Sequence, residues 1–303
     1  MQPKITVIGS INMDLVTEAN RRPEAGETVL GKQFSTIPGG KGANQAVAAA
    51  RIGGKVTMIG CVGEDPFGKE LLDHLEAEGI IIDNMESVPG VKTGIAAITL
   101  AEEDNSIVVV PGANNLVTER MILQNEEVIA NSDAVLLQLE IPLSTVVNAA
   151  AIAYQHGVRV ILNPAPFQKL PDKLIDFADV ITPNEHEYEE LIKDYSGDLN
   201  KLKEKLVITK GGEGIVYYEK GTEIHVPGHQ VEVVDTTGAG DSFNGGLAVQ
   251  LAKGASFADS CHYASAVGAL SVTKFGAQSG MPTDKEVNGL LKNGNKEKIE
   301  PLD

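Results

Sequence analysis

The strongest constraint on this chain is the character of its strand-like runs. ITVIG (5–9), KVTMIG (55–60), AVLLQLE (134–140), VRVILN (158–163), DVITPN (179–184) and KLVITK (205–210) are mostly apolar rather than alternating. Strands of this kind need cover on both faces, which a mostly parallel sheet flanked by helices provides. The intervening segments supply those helices. In GANQAVAAARIG (42–53), Ala43, Ala46, Val47 and Ala50 fall at i, i+3, i+4 and i+7, the spacing of one buried helix face. PFGKELLDHLEAEG (66–79) has proline in its first turn and glycine at its end. Further helices are expected over 143–155, from Glu185, and over 241–253, 256–272 and 284–292, the last opening on a Thr283/Glu286 capping box. The fold class is α/β, with a mostly parallel sheet between helical layers.

Two segments break the alternation. Residues 93–112, TGIAAITLAEEDNSIVVVPG, read as two strands around EEDNS, and 12–38 carries Pro23 and Gly26 with little helical period. Together they form a small β lid over the main sheet, or else an ordinary surface hairpin. The expected division is a core of 1–11, 39–92 and 113–303, with 12–38 and 93–112 as the lid. The 303 residues, 42% of them hydrophobic, suffice for one large core. A net charge of -17 excludes nucleic acid and an anionic membrane as partners, so an anionic ligand must be held by a local cradle and a metal ion. Cys61 and Cys261 form no C-x-x-C pair and read as reduced, buried thiols. The N-terminal apolar run is too short for a signal peptide, and no segment approaches the ~18 apolar residues of a membrane helix. A cytoplasmic protein is expected.

The chemistry concentrates in VDTTGAGDSFNGGLAVQL, 234–251. Gly238, Ala239 and Gly240 leave backbone N–H groups open to a ligand, and a helix with Phe243, Leu247 and Leu251 on one face follows. Its unpaired N–H groups and dipole favour negative charge, which the dipole would also favour on Asp241. A base beside an anion cradle is the layout for phosphoryl transfer. Taken alone, Asp241 reads equally as a helix cap.

Other stretches supply partners. IPGGKGANQA, 37–46, is neither a Walker A loop nor a G-x-G-x-x-G fingerprint, which argues against a nicotinamide-dependent oxidoreductase. Its Gly40, Lys41 and Asn44 at a helix start suit a polyhydroxyl ligand. Asn12 and Asp14 in GSINMDLV point the same way from an extended chain, and Glu140 follows a strand, where α/β sheets bind ligands. Asn184 and Glu187 lie three apart at a helix start, suited to water around Mg²⁺ or to a capping box. A strand ends at Thr209, and Gly211 and Gly212 follow, which suits a nucleotide phosphate or ribose, or a plain turn. No zinc-ligand spacing occurs.

GGKGANQAVAAARIG (39–53) and DTTGAGDSFNGG (235–246), in this order and separation, are specific. Through them the chain resembles the ribokinase-like family of carbohydrate kinases essentially end to end. GSINMD (9–14) and Glu140 in LQLE point within it toward ATP-dependent phosphorylation of D-ribose to D-ribose 5-phosphate. The resemblance implies that Asp241 is the base on the 5-hydroxyl and that Gly238, Ala239 and Gly240 form the anion hole. It implies that Asn12, Asp14, Gly40, Lys41, Asn44 and Glu140 hold the sugar. Thr209, Gly211, Gly214, Gly240, Asn184 and Ser265 would line the ATP site, with Glu187 serving Mg²⁺ through water. A monovalent cation, normally K⁺, would sit at Asp235, Thr237, Ser271, Lys274, Gly276 and Gly280. The lid would close over the sugar and pair two subunits into a homodimer. Relatives often carry His or Asn near the adenine where this chain has Ser265, and larger residues at Gly280. The alternative acceptors are deoxyribose, fructose, pseudouridine and adenosine. A non-catalytic sugar sensor would need the sugar contacts but not Asp241.

Overall fold

The computed structural model describes residues 2–102 and 104–294. Thirteen strands are formed among them: β1 (Lys4–Ile8), β2 (Asn12–Ala19), β3 (Gly31–Gly39), β4 (Lys55–Gly63), β5 (Ile81–Val88), β6 (Gly94–Ala101), β7 (Asp104–Val110), β8 (Ala134–Leu137), β9 (Arg159–Leu162), β10 (Val180–Ile181), β11 (Val207–Thr209), β12 (Gly214–Glu219) and β13 (Thr222–Pro227). The α-helices are α1 (Lys41–Arg51), α2 (Pro66–Ala77), α3 (Glu119–Gln124), α4 (Glu126–Ala130), α5 (Leu143–Gln155), α6 (Asp172–Phe177), α7 (Glu185–Asp194), α8 (Leu199–Lys203), α9 (Ala239–Ala252), α10 (Phe257–Ser271) and α11 (Asp284–Gly294).

Six strands make the central sheet, in the order β10-β9-β8-β1-β4-β5, with every pairing parallel. The apolar runs have the cause inferred from sequence. In β8, Ala134 and Leu136 enter one core while Val135 and Leu137 enter the other. The first core is closed by α1, α2, α9 and α10, the second by α3, α5, α6 and α7. Bridges at Ile181–Leu206 and Asn184–Thr209 continue the sheet into the antiparallel group β11-β12-β13.

A separate four-stranded sheet has the order β3-β2-β6-β7. Here β2 pairs antiparallel with β3 and parallel with β6. The irregular segment 12–38 thus contributes two full strands. Other boundaries differ from expectation. The run 179–184 keeps only Val180–Ile181 as strand, because Asn184 is already the cap of α7. The run 134–140 stops at Leu137, which frees Glu140 from the sheet. The helix expected at 241 begins at Ala239. At the start of α11, Glu286 accepts from the Thr283 N–H at 2.7 Å, as the capping box requires.

Candidate active site

Gly238 caps α9 in the left-handed conformation, φ 77°, where glycine carries no penalty. Asp241 is therefore the third residue of the helix and not its cap. Its Oδ2 accepts from Asn44 Nδ2 at 2.9 Å and its Oδ1 from Gln45 Nε2 at 3.0 Å. Both donors lie on α1. They reach Asp241 because the two helices approach over Gly245, where a Cβ would lie 2.6 Å from Ala48 Cβ. The Asn244 side chain donates back to Gly240 O at 2.9 Å and accepts from Thr182 Oγ1 at 2.7 Å, so the first turn is tied to the strand ends.

Burial is the largest influence on Asp241, which is 6% exposed, and it pushes the carboxyl pKa up. Lys41, Asn44 and Gln45 oppose that rise, and Glu140 adds to it. Burial thus opposes the ionisation that the helix end favours. Burial would lower the Lys41 ammonium, but Asp241, Glu140 and Glu187 hold it above its ordinary value. Lys41 is charged at neutral pH amid carboxylates. A carboxylate whose pKa is raised is a better proton acceptor than a free aspartate.

The predicted cradle is partly engaged. Ala239 N donates to Thr236 O at 3.3 Å, so that member of the expected anion hole is spent in a turn. Among the described residues, the N–H groups of Gly238 and Gly240 take part in no such bond. A Cβ at Gly240 would meet nothing within 4 Å, so the loop's outer face is open.

On the polyhydroxyl side, Asn12 and Asp14 lie two apart on β2, and Gly40 and Lys41 open α1. Glu140 is no plain solvated glutamate. Its Oε2 accepts from Ser10 Oγ at 2.5 Å and from Lys41 N at 3.1 Å. Asn12 Oδ1 accepts from Asn114 Nδ2 at 2.7 Å. The Asp14 carboxyl is pushed up to about 7 by burial, then by Glu140 and Asp241. A cavity of about 800 Å³ opens from Asp14 between the small sheet and the loops holding Thr236 and Gly276.

A second cavity, about 550 Å³, runs from Lys41 and Asp241 past Gly238 and Gly240 to Asn184 and Glu187. A third, about 430 Å³, is lined by Thr209, Gly211, Gly214, Gly240 and Ser265 over an apolar wall that includes Phe243 and Val272. Asn184 and Glu187 form the capping box: Glu187 Oε2 accepts from Asn184 N at 2.9 Å, and Asn184 Oδ1 from Glu187 N at 2.8 Å. That leaves Glu187 Oε1 for the cavity. Burial, opposed by the Asn184 N–H and Lys41, raises the Glu187 pKa. Among the described residues no group of three or more His, Cys, Asp or Glu could hold a metal ion. Asn184 and Glu187 line this cavity with oxygen-bearing side chains, the ligand type that Mg²⁺ takes.

Asp235 joins two loops. Its Oδ1 accepts from Thr237 N at 2.9 Å and Oγ1 at 2.7 Å, and its Oδ2 accepts from Gly276 N at 2.8 Å. The Ser271 carbonyl lies against Gly280, whose Cβ would fall 1.9 Å from it. Chain packing thus requires a glycine there. Lys274 is exposed and lines none of these cavities. Sequence reasoning missed Gln45, Gln278, Asn163 and Asn114, all buried polar residues bonded in or next to the site. The available signal was a polar residue inside an otherwise small, apolar helix, as at Gln45.

The model of the pfkB family of carbohydrate kinases matches residues 2–284. The ribokinase of Bacillus subtilis is 49% identical over 289 residues, covering 95% of this chain and 99% of that protein. The ribokinase of Lactococcus lactis is 46% identical over 292 residues, covering 95% and 97%. The structure of Arabidopsis thaliana ribokinase complexed with ribose and ATP superposes with a TM-score of 0.89 at 34% identity, covering 96% of this chain and 99% of that one.

Proposed function

This chain belongs to the pfkB family of carbohydrate kinases, and we infer that it transfers the terminal phosphoryl group of ATP to ribose. The observation that carries the reading is the convergence of three cavities on the segment Thr236–Asp241. One opens beside the Asp14 carboxyl, one is a glycine-walled nucleotide slot, and the base lies in the third.

Asp14 and Glu140 accept from sugar hydroxyls and, with Asn12, fix the ribose. The 5-hydroxyl meets Asp241, which takes its proton as the oxygen attacks the γ-phosphorus and ADP departs. The N–H groups of Gly238 and Gly240, at the positive end of α9, stabilise the charge on the transferring group. Ala239 joins them on giving up its weak bond to Thr236. Lys41 balances the surrounding carboxylates. Glu187 and Asn184 would hold Mg²⁺ through water, and the ion supplies charge neutralisation on the phosphates. The Asp235–Thr237 and Ser271–Gly280 loops suit K⁺ through their carbonyls. The small sheet closes the sugar cavity against water, which would otherwise accept the phosphoryl group. Its outer strands expose Phe34 (62%) and Val108 (65%), a surface suited to a second subunit. Among the described residues no helix is long and apolar enough to cross a membrane.

The test is ADP release in Mg²⁺, with and without K⁺, across ribose, 2-deoxyribose, fructose and adenosine. Ribose is expected to lead, and Asp241→Asn to lose at least ~10²-fold in turnover while still binding ribose. Unchanged turnover would remove Asp241 from its role.

A further inference from the structure

We propose that Gln278 and His74 are positioning residues for the catalytic base, acting through Asn44. The inference rests on Asp241 being that base. Asn44 Nδ2 donates to Asp241 Oδ2 at 2.9 Å, Gln278 Nε2 donates to Asn44 Oδ1 at 2.9 Å, and Gln278 Oε1 meets His74 Nε2 at 2.7 Å. The carboxylate sets the direction of the whole chain. It only accepts, so Asn44 must turn its nitrogen to Asp241 and its oxygen to Gln278. Gln278 must then offer nitrogen to Asn44 and oxygen to His74, and His74 must carry a proton on Nε2. Both the imidazolium and one neutral tautomer satisfy this.

A side-chain amide reversed by a half turn has nearly the same shape but opposite polarity. Reversed, Asn44 would set an oxygen against the Asp241 carboxylate. Gln278 prevents this by occupying Asn44 Oδ1, and His74 prevents the same reversal in Gln278. The backbone of Gln278 is fixed as well: Arg51 Nη1 donates to its carbonyl at 2.5 Å and to that of Met281 at 3.1 Å, while the Arg51 fork pairs with Glu78. Gln278 is 4% exposed, so no solvent substitutes for its donor. None of these residues touches the cavities where sugar and nucleotide would sit.

An N–H bond to a carboxylate favours its charged form, so losing one raises the pKa of the base. The other charges around Asp241 are Lys41, Glu140, Glu187 and Asp14, and the substitutions leave them in place. The experiment measures kcat and KM for ribose from pH 5.5 to 9, with saturating ATP and Mg²⁺. It uses the full-length enzyme and Gln278→Met, His74→Phe and His74→Gln. Gln278→Met is expected to lower kcat roughly tenfold and to move the acid limb of kcat/KM up by roughly half a pH unit, with a smaller change in KM. His74→Phe moves the limb the same way by less. His74→Gln, whose amide nitrogen can stand where the imidazole Nε2 stood, restores it. An acid limb that stays in place while the melting temperature falls would mean packing only and would overturn the proposal. If Gln278→Met does not fold, the two variants at half-buried His74 decide by the same criterion. Should Asp241→Asn retain turnover, the base assignment fails first. An inactive Asp241→Asn beside an unmoved limb overturns the relay alone.

Discussion

Replacing Asp14 with asparagine should make the ligand-free protein more stable at pH 8 while damaging its sugar site. The Asp14 carboxyl rises from 3.8 to about 7, first through burial and then through Glu140 and Asp241. A shift of that size corresponds to about 4 kcal/mol. The folded chain holds the Asp14 proton more tightly than the unfolded chain does. Between pH 4 and 7 it therefore binds more protons, and stability falls as pH rises through that window. Above 7 the whole penalty is present, and below 4 none of it is. Asp14→Asn removes the titration. With structural relaxation, the expected gain is about 2–4 kcal/mol at pH 8 and close to zero at pH 4. For a chain of this length that is roughly 3–6 °C in melting temperature. Calorimetric scans of both proteins at pH 4 and 8, without ligand, give the difference of differences in which other titrating groups largely cancel. The same variant should bind ribose at least ~10-fold more weakly, because a charged acceptor is lost. An Asp14→Asn melting difference that is the same at both pH values would refute the argument that this carboxylate is held in a costly place for its ligand.

Two further perturbations test the frame around the site. Gly280→Ala places a methyl group 1.9 Å from the Ser271 carbonyl. It should cost ~1–3 kcal/mol in a denaturant melt and weaken K⁺ stimulation of ADP release, and a normal K⁺ titration would detach this loop from the cation. Arg51→Met removes the part-buried pair with Glu78 and both carbonyl bonds to the 278–281 loop. A loss of ~2–4 kcal/mol is expected by urea unfolding, and a loss below ~1 kcal/mol would show that the loop holds itself.

Much of the fold was legible because continuous apolar strands leave few options. Alternate side chains of β8 enter two cores, and no one-sided arrangement would bury both sets. Strand ends were less legible, since local caps decide them: Asn184 ends the strand run at 179–184 by capping α7. Asp241, Asn44 and Glu140 could be singled out because glycine-rich turns surround them or a strand ends beside them. Their mutual contacts could not, since Asn44 and Asp241 are 197 residues apart in sequence. Gln278, 234 residues from Asn44, was passed over because a lone glutamine in a loop carries no local pattern. That Ala239 N is bound to Thr236 O was equally hidden, because it depends on turn geometry and not on residue type.

Thr236 lines all three cavities. It is a party wall between the rooms proposed for sugar, phosphates and nucleotide base. With both substrates seated as proposed, neither would settle without bearing on a surface the other also uses. Their affinities would then be linked. Whatever factor ATP applies to the hold on ribose, ribose must return to ATP in equal measure.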